Sequence, residues 1–528
     1  MMPIQEVWYV AREYAGIAEA GGVKNVSCSL AEGMAAQGYS VTVFIPAYGC
    51  VTISGELLYQ DVIEAAGESH SIYFKKTSIN GVRIVLVDGA VFRDKQAVYV
   101  YTAEEARRLP GDPRGRGHFD ADIMNVLLQK AVLRFSCLSG EIPSIIHGQD
   151  AHTALLPAFM RTDEAYASRF SKTLSPVTIH NAGPGYRQGY PGILRARHIT
   201  GLPESVLSLG ACNGMVEPFL LAGQFGLLTT VSPWYAEEIT SEQANDYTEG
   251  LSRELSSRGI EIEGITNGLD FSRYDPSDTS ISLLPFSFDP LMGDLSGKYK
   301  CRSWFLDFLK TDDLSSVSLE KFGFYEPSDE GVFFSYHGRI AWQKGLDVFE
   351  QAAKLVLDHL PQARFFVLGQ GDPVLEAALI RMSMRYAGRF VYLRGYERSW
   401  ARLVVAASDF LVLPSAFEPC GLEDFIGQTY GTIPVAHAVG GLQKIIDGRT
   451  GFLYGGSKTV SDANALASLL LEISEPMIGN GSCGCASVPR YKQMIQDAAS
   501  YIREHYSWDK IIKERYIPWY EKKISSLY

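Results

Sequence analysis

Two apolar runs near the amino terminus decide the fold: Val7-Trp8-Tyr9-Val10 and Val41-Thr42-Val43-Phe44-Ile45-Pro46. Between them, apolar residues recur at helical spacing from Val23 to Met34, and Gly38 ends the pattern. A short apolar run, an amphipathic helix and a second apolar run predict a β-α-β unit. The strands of such a unit run parallel, and the crossover is right-handed.

The same alternation continues along the whole chain. Further strands are predicted in the first half at Val82–Val87, Ser144–His147, Val177–His180 and Leu227–Val231. A second series follows the Ser/Asp/Pro-rich stretch 275–297, with strands predicted at Val332–Tyr336, Arg364–Leu368, Phe390–Leu393, Phe410–Pro414 and Ile433–Ala436. The fold class predicted is α/β, with two Rossmann-like domains facing across a deep cleft that would hold the binding site. We place the domains at residues 1–267 and 268–505, with a C-terminal closing helix over 506–528 that packs back on the first domain.

Composition excludes several classes of protein. Of 528 residues, 46% are hydrophobic and 20% are charged, which is typical of a globular chain with ample core. No run is long enough to span a bilayer, and the first residues lack a signal-peptide pattern, so we expect a cytoplasmic protein. The net charge of -12 argues against nucleic acid or an anionic membrane as the main partner.

The eight cysteines do not have the paired spacing of a zinc ribbon or of a small disulfide scaffold. We interpret them as mostly buried thiols. The pair in Cys483-Gly484-Cys485 is predicted to lie in a flexible loop and cannot complete a tetrahedral metal site alone. We predict no metal and no cofactor.

Charged residues that suit a diphosphate follow two strands of the second half. Arg339 and Lys344 stand five positions apart after the strand that ends at Tyr336, and together they could neutralise a pyrophosphate leaving group without a metal. Glu418 lies just past the strand 410–414, in a tight loop with Pro419 and Gly421 beside it. A surface carboxylate is the alternative reading of Glu418. The glycine pair Gly440-Gly441 precedes a helix and offers backbone donors.

In the first half, Gly21-Gly22 separates the first strand from the first helix, where glycine permits close backbone approach and a helix N-terminus favours an anion. These glycines are not the GxGxxG fingerprint, and a purely structural turn is an equal alternative. Asp150, His180 and Asn181 follow two other strands, where polar groups converge and can orient sugar hydroxyls. His180 could instead be a core histidine satisfied by backbone.

Ordered motifs along the chain resemble those of the bacterial glycogen synthases and plant starch synthases, which are retaining glucosyltransferases of family 5 with the GT-B fold. The motifs of the first half are Glu19-Ala20-Gly21-Gly22-Val23, His147-Gly148-Gln149-Asp150, Thr178-Ile179-His180-Asn181, Thr230-Val231-Ser232-Pro233-Trp234-Tyr235-Ala236 and Ile265-Thr266-Asn267-Gly268-Leu269-Asp270. Those of the second half are Arg339-Ile340-Ala341-Trp342-Gln343-Lys344-Gly345, Leu368-Gly369-Gln370-Gly371-Asp372-Pro373, Pro414-Ser415-Ala416-Phe417-Glu418-Pro419-Cys420-Gly421-Leu422, Gly431-Thr432-Ile433-Pro434-Val435, Gly440-Gly441-Leu442 and Tyr506-Ser507-Trp508.

The resemblance implies transfer of glucose from ADP-glucose to the non-reducing end of an α-1,4-glucan, with no metal. It implies that Arg339 and Lys344 hold the donor diphosphate, that Glu418 lies at the reacting glucose, and that His180 and Asp150 bind its hydroxyls. We therefore predict four catalytic residues: Glu418, His180, Arg339 and Lys344. The predicted substrate contacts are Gly21, Gly22, Asp150, Asn181, Asn267, Cys420, Gly421, Leu422, Gly440 and Gly441.

The chain departs from the family pattern at several positions. Glu19 stands where the family has lysine, which would place negative charge near the diphosphate, and Lys24 or Arg12 could supply the missing charge. Whether Glu19 and Lys24 touch the donor stays open. Gln149, Ala151 and Asn25 also differ from the usual histidine, tryptophan and aspartate, and the stretches 111–122 and 213–226 fit poorly. Two alternatives remain: a non-catalytic glucan-binding or regulatory relative, and a glucosyltransferase that uses UDP-glucose or another acceptor.

Overall fold

The computed structural model describes residues 4–310, 317–326, 331–455, 463–478 and 484–527. The chain forms two compact units, one of residues 1–268 together with 508–528, the other of residues 269–507. Among the described helices, none combines the length and the apolarity that a membrane crossing requires.

The first unit is built on a nine-stranded sheet in the order β12-β11-β7-β6-β1-β2-β5-β4-β3. All neighbouring pairs run parallel except those that involve β4, which pairs antiparallel with both β3 and β5. A small antiparallel sheet of β8, β10 and β9 stands apart from it. The strands are β1 (Glu6–Val10), β2 (Ser40–Pro46), β3 (Glu56–Ala65), β4 (Glu68–Ile79), β5 (Val82–Asp88), β6 (Ile145–Gln149), β7 (Pro176–Ile179), β8 (Tyr190–Pro191), β9 (Ala211–Cys212), β10 (Met215–Val216), β11 (Leu227–Thr230) and β12 (Ile262–Gly264).

Helices connect these strands. Their bounds are α1 (Val23–Ala36), α2 (Ala90–Arg93), α3 (Ala103–Ala106), α4 (Ala121–Ser139), α5 (Leu156–Thr162), α6 (Glu164–Ala167), α7 (Gly192–Thr200), α8 (Glu204–Leu207), α9 (Pro218–Phe225), α10 (Pro233–Glu238) and α11 (Leu251–Ser257).

The second unit has a seven-stranded sheet in the order β13-β16-β15-β14-β17-β18-β19, parallel except for β13. Its strands are β13 (Leu319–Phe322), β14 (Val332–His337), β15 (Ala363–Gly369), β16 (Phe390–Gly395), β17 (Phe410–Leu413), β18 (Ile433–His437) and β19 (Phe452–Tyr454). Its helices are α12 (Thr279–Ser282), α13 (Ser296–Leu309), α14 (Leu346–His359), α15 (Pro373–Arg385), α16 (Arg398–Ala407), α17 (Glu423–Thr429), α18 (Ala463–Ser474) and α19 (Pro489–Tyr506).

The central strands of the second unit are mostly apolar, as expected for a parallel sheet covered by helices on both faces. The ring of Phe334 stacks between those of Phe365 and Phe410 on the neighbouring strands, with centroids 4.9 and 5.5 Å apart. All three side chains are fully buried. This continuous burial explains why apolar runs alone were enough to predict these strands.

The C-terminal tail belongs to the first unit. It consists of α20 (Trp508–Ile511), a π-helical turn (Ile512–Tyr516) and α21 (Ile517–Ser525). The Tyr520 hydroxyl lies 2.6 Å from Nδ1 of the buried His147 on β6, and Nε2 of that ring lies 2.7 Å from the Thr178 hydroxyl. Thr178 in turn lies 2.8 Å from the Thr229 hydroxyl. A buried chain of hydrogen bonds thus connects the tail to three adjacent strands.

The predicted fold class, two Rossmann-like α/β units, is confirmed. Each strand predicted above is present to within two residues at either end. The long hairpin of β3 and β4 was not predicted, and neither were the edge strands β12, β13 and β19.

Candidate active site

In the second unit, the loops after β14 and β17 leave the sheet where the strand order reverses. Doubly wound sheets bind their ligands at this edge, outside the carboxyl ends of the strands. The first loop carries Arg339 and Lys344, and the second carries Glu418. The three catalytic residues predicted in this unit therefore lie on two adjacent loops at the expected edge.

Backbone contacts hold the two loops together. The Ala416 N–H donates to the Gln343 carbonyl oxygen at 2.9 Å. Gly345 has φ +67°, and a Cβ at this position would lie 1.9 Å from the carbonyl oxygen of Pro414. Glycine is therefore required at 345 both for the backbone conformation and for the close approach.

Lys344 and Glu418 form an ion pair. The lysine ammonium donates to the glutamate Oε2, and the two side chains are 22% and 15% exposed. The Ser415 hydroxyl donates to the same oxygen at 3.0 Å. A lysine is a compact point charge on a flexible stem, so this ammonium can turn from an internal carboxylate to the anion of a ligand.

Arg339 lies on the same loop as Lys344 and is exposed. Its Nη2 lies 3.4 Å from Oε1 of Gln343, and its carbonyl oxygen accepts a hydrogen bond from the Tyr336 hydroxyl at 2.7 Å. The backbone of Arg339 is thus fixed to the end of β14, while its guanidinium is at the surface.

One glycine of the pair after β18 joins two loops of the second unit. The Gly441 N–H donates to the Glu418 carbonyl oxygen at 2.8 Å, so it is already used within the protein. A Cβ on Gly441 would lie 2.1 Å from the Cys420 carbonyl oxygen. Gly440 has φ +43°, a backbone conformation that favours glycine. Leu422, another predicted substrate contact, directly precedes α17. Gly441 therefore lets two loops pack closely, and its N–H donates within the protein, whereas the contact of Gly440 with a substrate stays a prediction.

A buried lysine that was not predicted from the sequence organises the loop after β17. The Lys444 ammonium donates to the carbonyl oxygens of Cys420 and Gly421 at 2.6 and 2.7 Å, and to Oδ1 of Asp424 at 2.9 Å. Burial raises the pKa of Asp424 to about 6, and the Lys444 charge opposes that rise. The loop that carries three predicted substrate contacts is therefore held in one conformation.

A second pair that was missed lies beside this site. Nδ1 of His337, the last residue of β14, is 2.8 Å from Oε2 of Glu423, the first residue of α17. Burial lowers the pKa of His337, but the adjacent carboxylate outweighs burial and raises it overall. Burial likewise raises the pKa of Glu423, and His337 lowers it overall. The two residues therefore form an ion pair at moderately acidic pH.

In the first unit, Asp150 directly follows β6 and has an unusual backbone, with φ +67°. Burial raises its pKa to about 8, although the backbone N–H groups of Ala151, His180 and Asn181 favour the ionised form. Its Oδ1 has no hydrogen-bond partner among the described residues. A non-glycine residue in a strained conformation with an unsatisfied buried oxygen is typical of a functional position.

The other polar residues predicted in this unit lie near the same edge of the sheet. Nε2 of His180 is 2.8 Å from Oε1 of Gln149, and burial lowers the pKa of His180 to about 4, so the ring is neutral at pH 7. Nε2 of Gln149 and Oδ1 of Asn267 are buried and have no partner in the described part of the chain. Oδ1 of Asn181 accepts from the Gly183 N–H at 2.8 Å.

The glycine turn before α1 is bound by an acidic residue that was not predicted from the sequence. Oε2 of the buried Glu13 accepts hydrogen bonds from the N–H groups of Ala20, at 3.1 Å, and of Gly21. A Cβ on Gly21 would lie 3.2 Å from Oε1 of Glu13. Gly22 is the N-cap of α1, which has no side-chain cap and no acidic residue in its first turn. The Gly21 amide is thus used internally, and the Glu13 carboxylate accepts from it one residue before the N-cap of α1.

Glu19 interacts with Lys24, one of the two residues proposed to replace the missing family lysine. Oε2 of Glu19 lies 2.7 Å from the Lys24 ammonium, and Oε1 accepts from the Gly16 N–H at 2.7 Å. The other proposed substitute, Arg12, is buried and donates to the Tyr48 hydroxyl at 2.8 Å. Lys24 is therefore engaged in an ion pair and Arg12 in a hydrogen bond, both within the first unit.

No group of three or more histidine, cysteine, aspartate or glutamate side chains could hold a metal ion among the residues that the structure describes. Most of the described cysteines are buried thiols, and Cys50 and Cys137 are exposed. Cys485 is buried, and Cys483, in the loop predicted to be flexible, lies outside the described residues.

Comparison with known proteins gives matches along most of the chain. Residues 6–259 match the family model described as starch synthase catalytic domain, and residues 332–473 match glycosyl transferases group 1. The chain is 30% identical over 477 residues to the glycogen synthase of Anaeromyxobacter sp. (strain Fw109-5), covering 88% of this chain and 90% of that protein. It is 27% identical over 515 residues to the glycogen synthase of Elusimicrobium minutum, covering 95% and 93%.

Two solved structures share the fold. The catalytic domain of starch synthase IV from Arabidopsis thaliana, bound to ADP and acarbose, has a TM-score of 0.76 at 20% identity, covering 99% of each chain. Sucrose-phosphate synthase from Thermosynechococcus elongatus has a TM-score of 0.56 at 16% identity, covering 99% of this chain and 100% of that one.

These matches, on a fold with a cation and a carboxylate in contact at a switch point, define a hexosyltransferase. The predicted enzyme class is confirmed. Since the similarity to a curated relative reaches 30% identity over nearly the full length of both chains, the chain belongs to the glycogen synthase family. The resemblance found in the sequence is likewise confirmed.

Proposed function

We propose that this chain transfers glucose from ADP-glucose to the non-reducing end of an α-1,4-glucan, with retention of configuration. The observation that carries the proposal is the contact between Lys344 and Glu418 on two loops at the switch point of the second unit. ADP and acarbose are bound in the starch synthase IV structure, which supports an adenine nucleotide and a glucan as the ligands here.

The donor side of the reaction needs positive charge where the leaving group forms. When the bond between the glucose C1 and the phosphate oxygen breaks, negative charge grows on that oxygen. We assign Lys344 and Arg339 to this charge, because fixed cations that are in place before the reaction lower the barrier most effectively. In the structure Lys344 is neutralised by Glu418, so an incoming diphosphate would compete with this carboxylate for the ammonium.

The glucose side of the reaction needs hydrogen-bonding groups, and we assign these to the first unit. Asp150, Gln149 and Asn267 each have a buried polar atom that lacks a partner among the described residues. A buried polar atom left without a partner typically costs about 1–3 kcal/mol, and we propose that sugar hydroxyls supply the missing partners. His180, neutral at pH 7, can accept or donate a hydrogen bond without bringing a charge to the reacting sugar.

A glucan-binding relative without turnover is the second candidate. It is favoured by Glu19, which takes the place of a family lysine and draws Lys24 into an ion pair. A UDP-glucose-dependent transferase is the third, and the comparisons leave the nucleotide base open.

The experiment that tests the proposal uses purified chain, radiolabelled ADP-glucose and glycogen, with UDP-glucose as competitor. The expected result is label bound to polymer, reduced little by excess UDP-glucose. Lys344→Ala should lose most of this transfer. Lys354→Ala is its matched control, because Lys354 is an exposed lysine on α14 in the same unit. Retention of glycogen without transfer from any nucleotide sugar would establish the second candidate instead.

A further inference from the structure

A second ion pair lies beside the pair of Lys344 and Glu418 in the second unit. Nδ1 of His337 is 2.8 Å from Oε2 of Glu423, and the two side chains are 12% and 33% exposed. His337 ends β14, whose following loop carries Lys344, and Glu423 begins α17, whose preceding loop carries Glu418. Both pairs therefore join the same two segments of the chain, at the edge of the sheet where the donor diphosphate is assigned.

The Lys344 ammonium acts on both members of the second pair. Burial and the Glu423 carboxylate have the larger effects on the pKa of His337, and the Lys344 charge opposes its rise. Burial also has the largest effect on the pKa of Glu423, followed by His337, and the Lys344 charge adds to its lowering. Lys344 thus lies within electrostatic reach of two carboxylates, because it also donates to Glu418.

The phenols near the pair stay neutral. Burial raises the pKa of Tyr336 well above its ordinary value, and the carboxylates of Glu418 and Glu423 add to the rise. Burial, and after it Glu423, likewise raises the pKa of Tyr274. Among the described groups that interact with the pair, His337 is therefore the one whose charge changes at and above neutral pH.

Loss of the proton from His337 leaves the Glu423 carboxylate uncompensated. While His337 is protonated, the pair has no net charge, and the imidazolium holds Glu423. Once His337 is neutral, the pair carries one negative charge, which attracts the Lys344 ammonium and repels a diphosphate. The diphosphate then has to compete with two carboxylates for Lys344 instead of one.

We propose that Glu423 competes with the donor diphosphate for Lys344, and that His337 is a positioning residue that restrains Glu423 while the donor binds. This inference rests on the proposed function for the identity of the donor. Affinity for the diphosphate is then highest while His337 is protonated, and it falls as pH rises through the pKa of His337. Because linkage is reciprocal, a bound diphosphate in turn raises the pKa of His337.

The test measures binding of ADP to the full-length chain by calorimetry from pH 6 to 9, without glucan. His337→Gln keeps a hydrogen-bond donor but cannot be protonated, and Glu423→Gln removes the carboxylate. The matched control is His359→Gln, because His359 is an exposed histidine on α14 in the same unit. The titration of ADP itself is common to the parent and all variants, so it cancels when their pH profiles are compared.

The expected result is that the variants change in opposite directions. Relative to the control variant, whose profile should match the parent's, His337→Gln should bind ADP about 5–10-fold more weakly at pH 6 and equally at pH 9. Glu423→Gln should bind equally at pH 6 and about 5–10-fold more tightly at pH 9. A pair that only stabilised the fold would weaken binding in both variants.

Three results would overturn the inference. They are parallel pH profiles in the parent and both variants, weaker binding of ADP in both variants, and a pKa of His337 that NMR finds unchanged when ADP binds to the parent. Glucose transfer by a parent with any of these results would leave the proposed function standing. The expected profiles in a chain that transfers no glucose would refute the proposed function alone.

Discussion

Replacement of Lys344 by alanine tests the role assigned to the ion pair at the switch point. The variant loses the cation that contacts Glu418, and two separate costs follow. The first cost is a loss of stability. The Lys344 and Glu418 side chains are 22% and 15% exposed, so the ion pair is only partly buried. Surface pairs contribute up to about 1 kcal/mol, whereas breaking a fully buried pair costs about 3–5 kcal/mol. We therefore expect Lys344→Ala to lower the free energy of unfolding by about 1–2 kcal/mol.

The second cost is catalytic and should be larger. Removing one preorganised group that stabilises transition-state charge typically lowers kcat about 10²–10³-fold, or about 2.7–4 kcal/mol. Since globular proteins have about 5–15 kcal/mol of stability, the variant should stay folded at 25 °C while most activity is lost. The two costs can thus be measured separately.

The assay combines initial rates over a range of ADP-glucose concentrations with thermal unfolding of the same preparations. Lys354→Ala serves as the control for loss of an exposed lysine. A Lys344→Ala variant that melts at lower temperature but keeps kcat within about threefold of the parent would refute the reasoning, because Lys344 would then serve only as the structural partner of Glu418. The Lys344→Ala/Glu418→Gln double variant should be no slower than the slower single variant if the two residues act as a unit.

Three further predictions follow from the described contacts. Glu19→Lys should lower the KM for the donor, because it replaces a negative charge near the diphosphate with a positive one. The melting temperature should hardly change, since an exposed ion pair contributes only about 0.2–1 kcal/mol. An unchanged KM would mean that position 19 does not touch the donor. Gly345→Ala should lower the free energy of unfolding by about 1–3 kcal/mol or more, because alanine is strained at φ +67° and its Cβ would clash with the Pro414 carbonyl oxygen. Urea titration measures this loss. A stability equal to the parent's would show that the two loops are not packed as described. The His337–Glu423 pair stabilises the folded chain at pH values between the lowered pKa of Glu423 and the raised pKa of His337. That stability is lost as pH rises through the pKa of His337 and as it falls through the pKa of Glu423. In urea titrations from pH 5 to 9, His337→Gln should therefore remove the loss of stability at the high-pH end, and an unchanged profile would contradict the assignment.

The strands that the sequence predicted are those buried on both faces, such as β14 and β17, because continuous apolar runs identify them directly. The β3–β4 hairpin was missed because β3 is largely exposed, with only Ile63 and Ala65 buried, so its apolar residues come in runs of three or fewer. Short edge strands such as β13 give too weak a pattern to identify.

Ordered motifs in the sequence were enough to name candidate site residues, but they did not reveal contacts that depend on a distant partner. Lys344 and Glu418 were both named from their motifs, but their direct contact was not predicted. The His337–Glu423 pair joins residues 86 positions apart, a separation that no local pattern reveals. Glu13 lies only eight residues from Gly21, but its partner is a backbone amide. Every residue except proline has such an amide, so the residue types do not reveal the contact.

The hydrogen bonds from Tyr520 to His147 and on to Thr178 have a consequence for synthesis of the protein in the cell. The first unit emerges from the ribosome before the second, yet part of its interior is supplied by residues 508–528, which are translated after the second unit. At a synthesis rate of about 5–20 residues per second, translation of the second unit takes on the order of tens of seconds. During this time the first unit lacks the residues of the tail that complete its interior. The second unit, in contrast, is one uninterrupted segment and can complete its folding first. Chaperones that protect nascent chains would therefore be needed chiefly by the earlier half, and a ribosome stalled shortly before Tyr520 would release a chain with one finished unit and one unfinished unit.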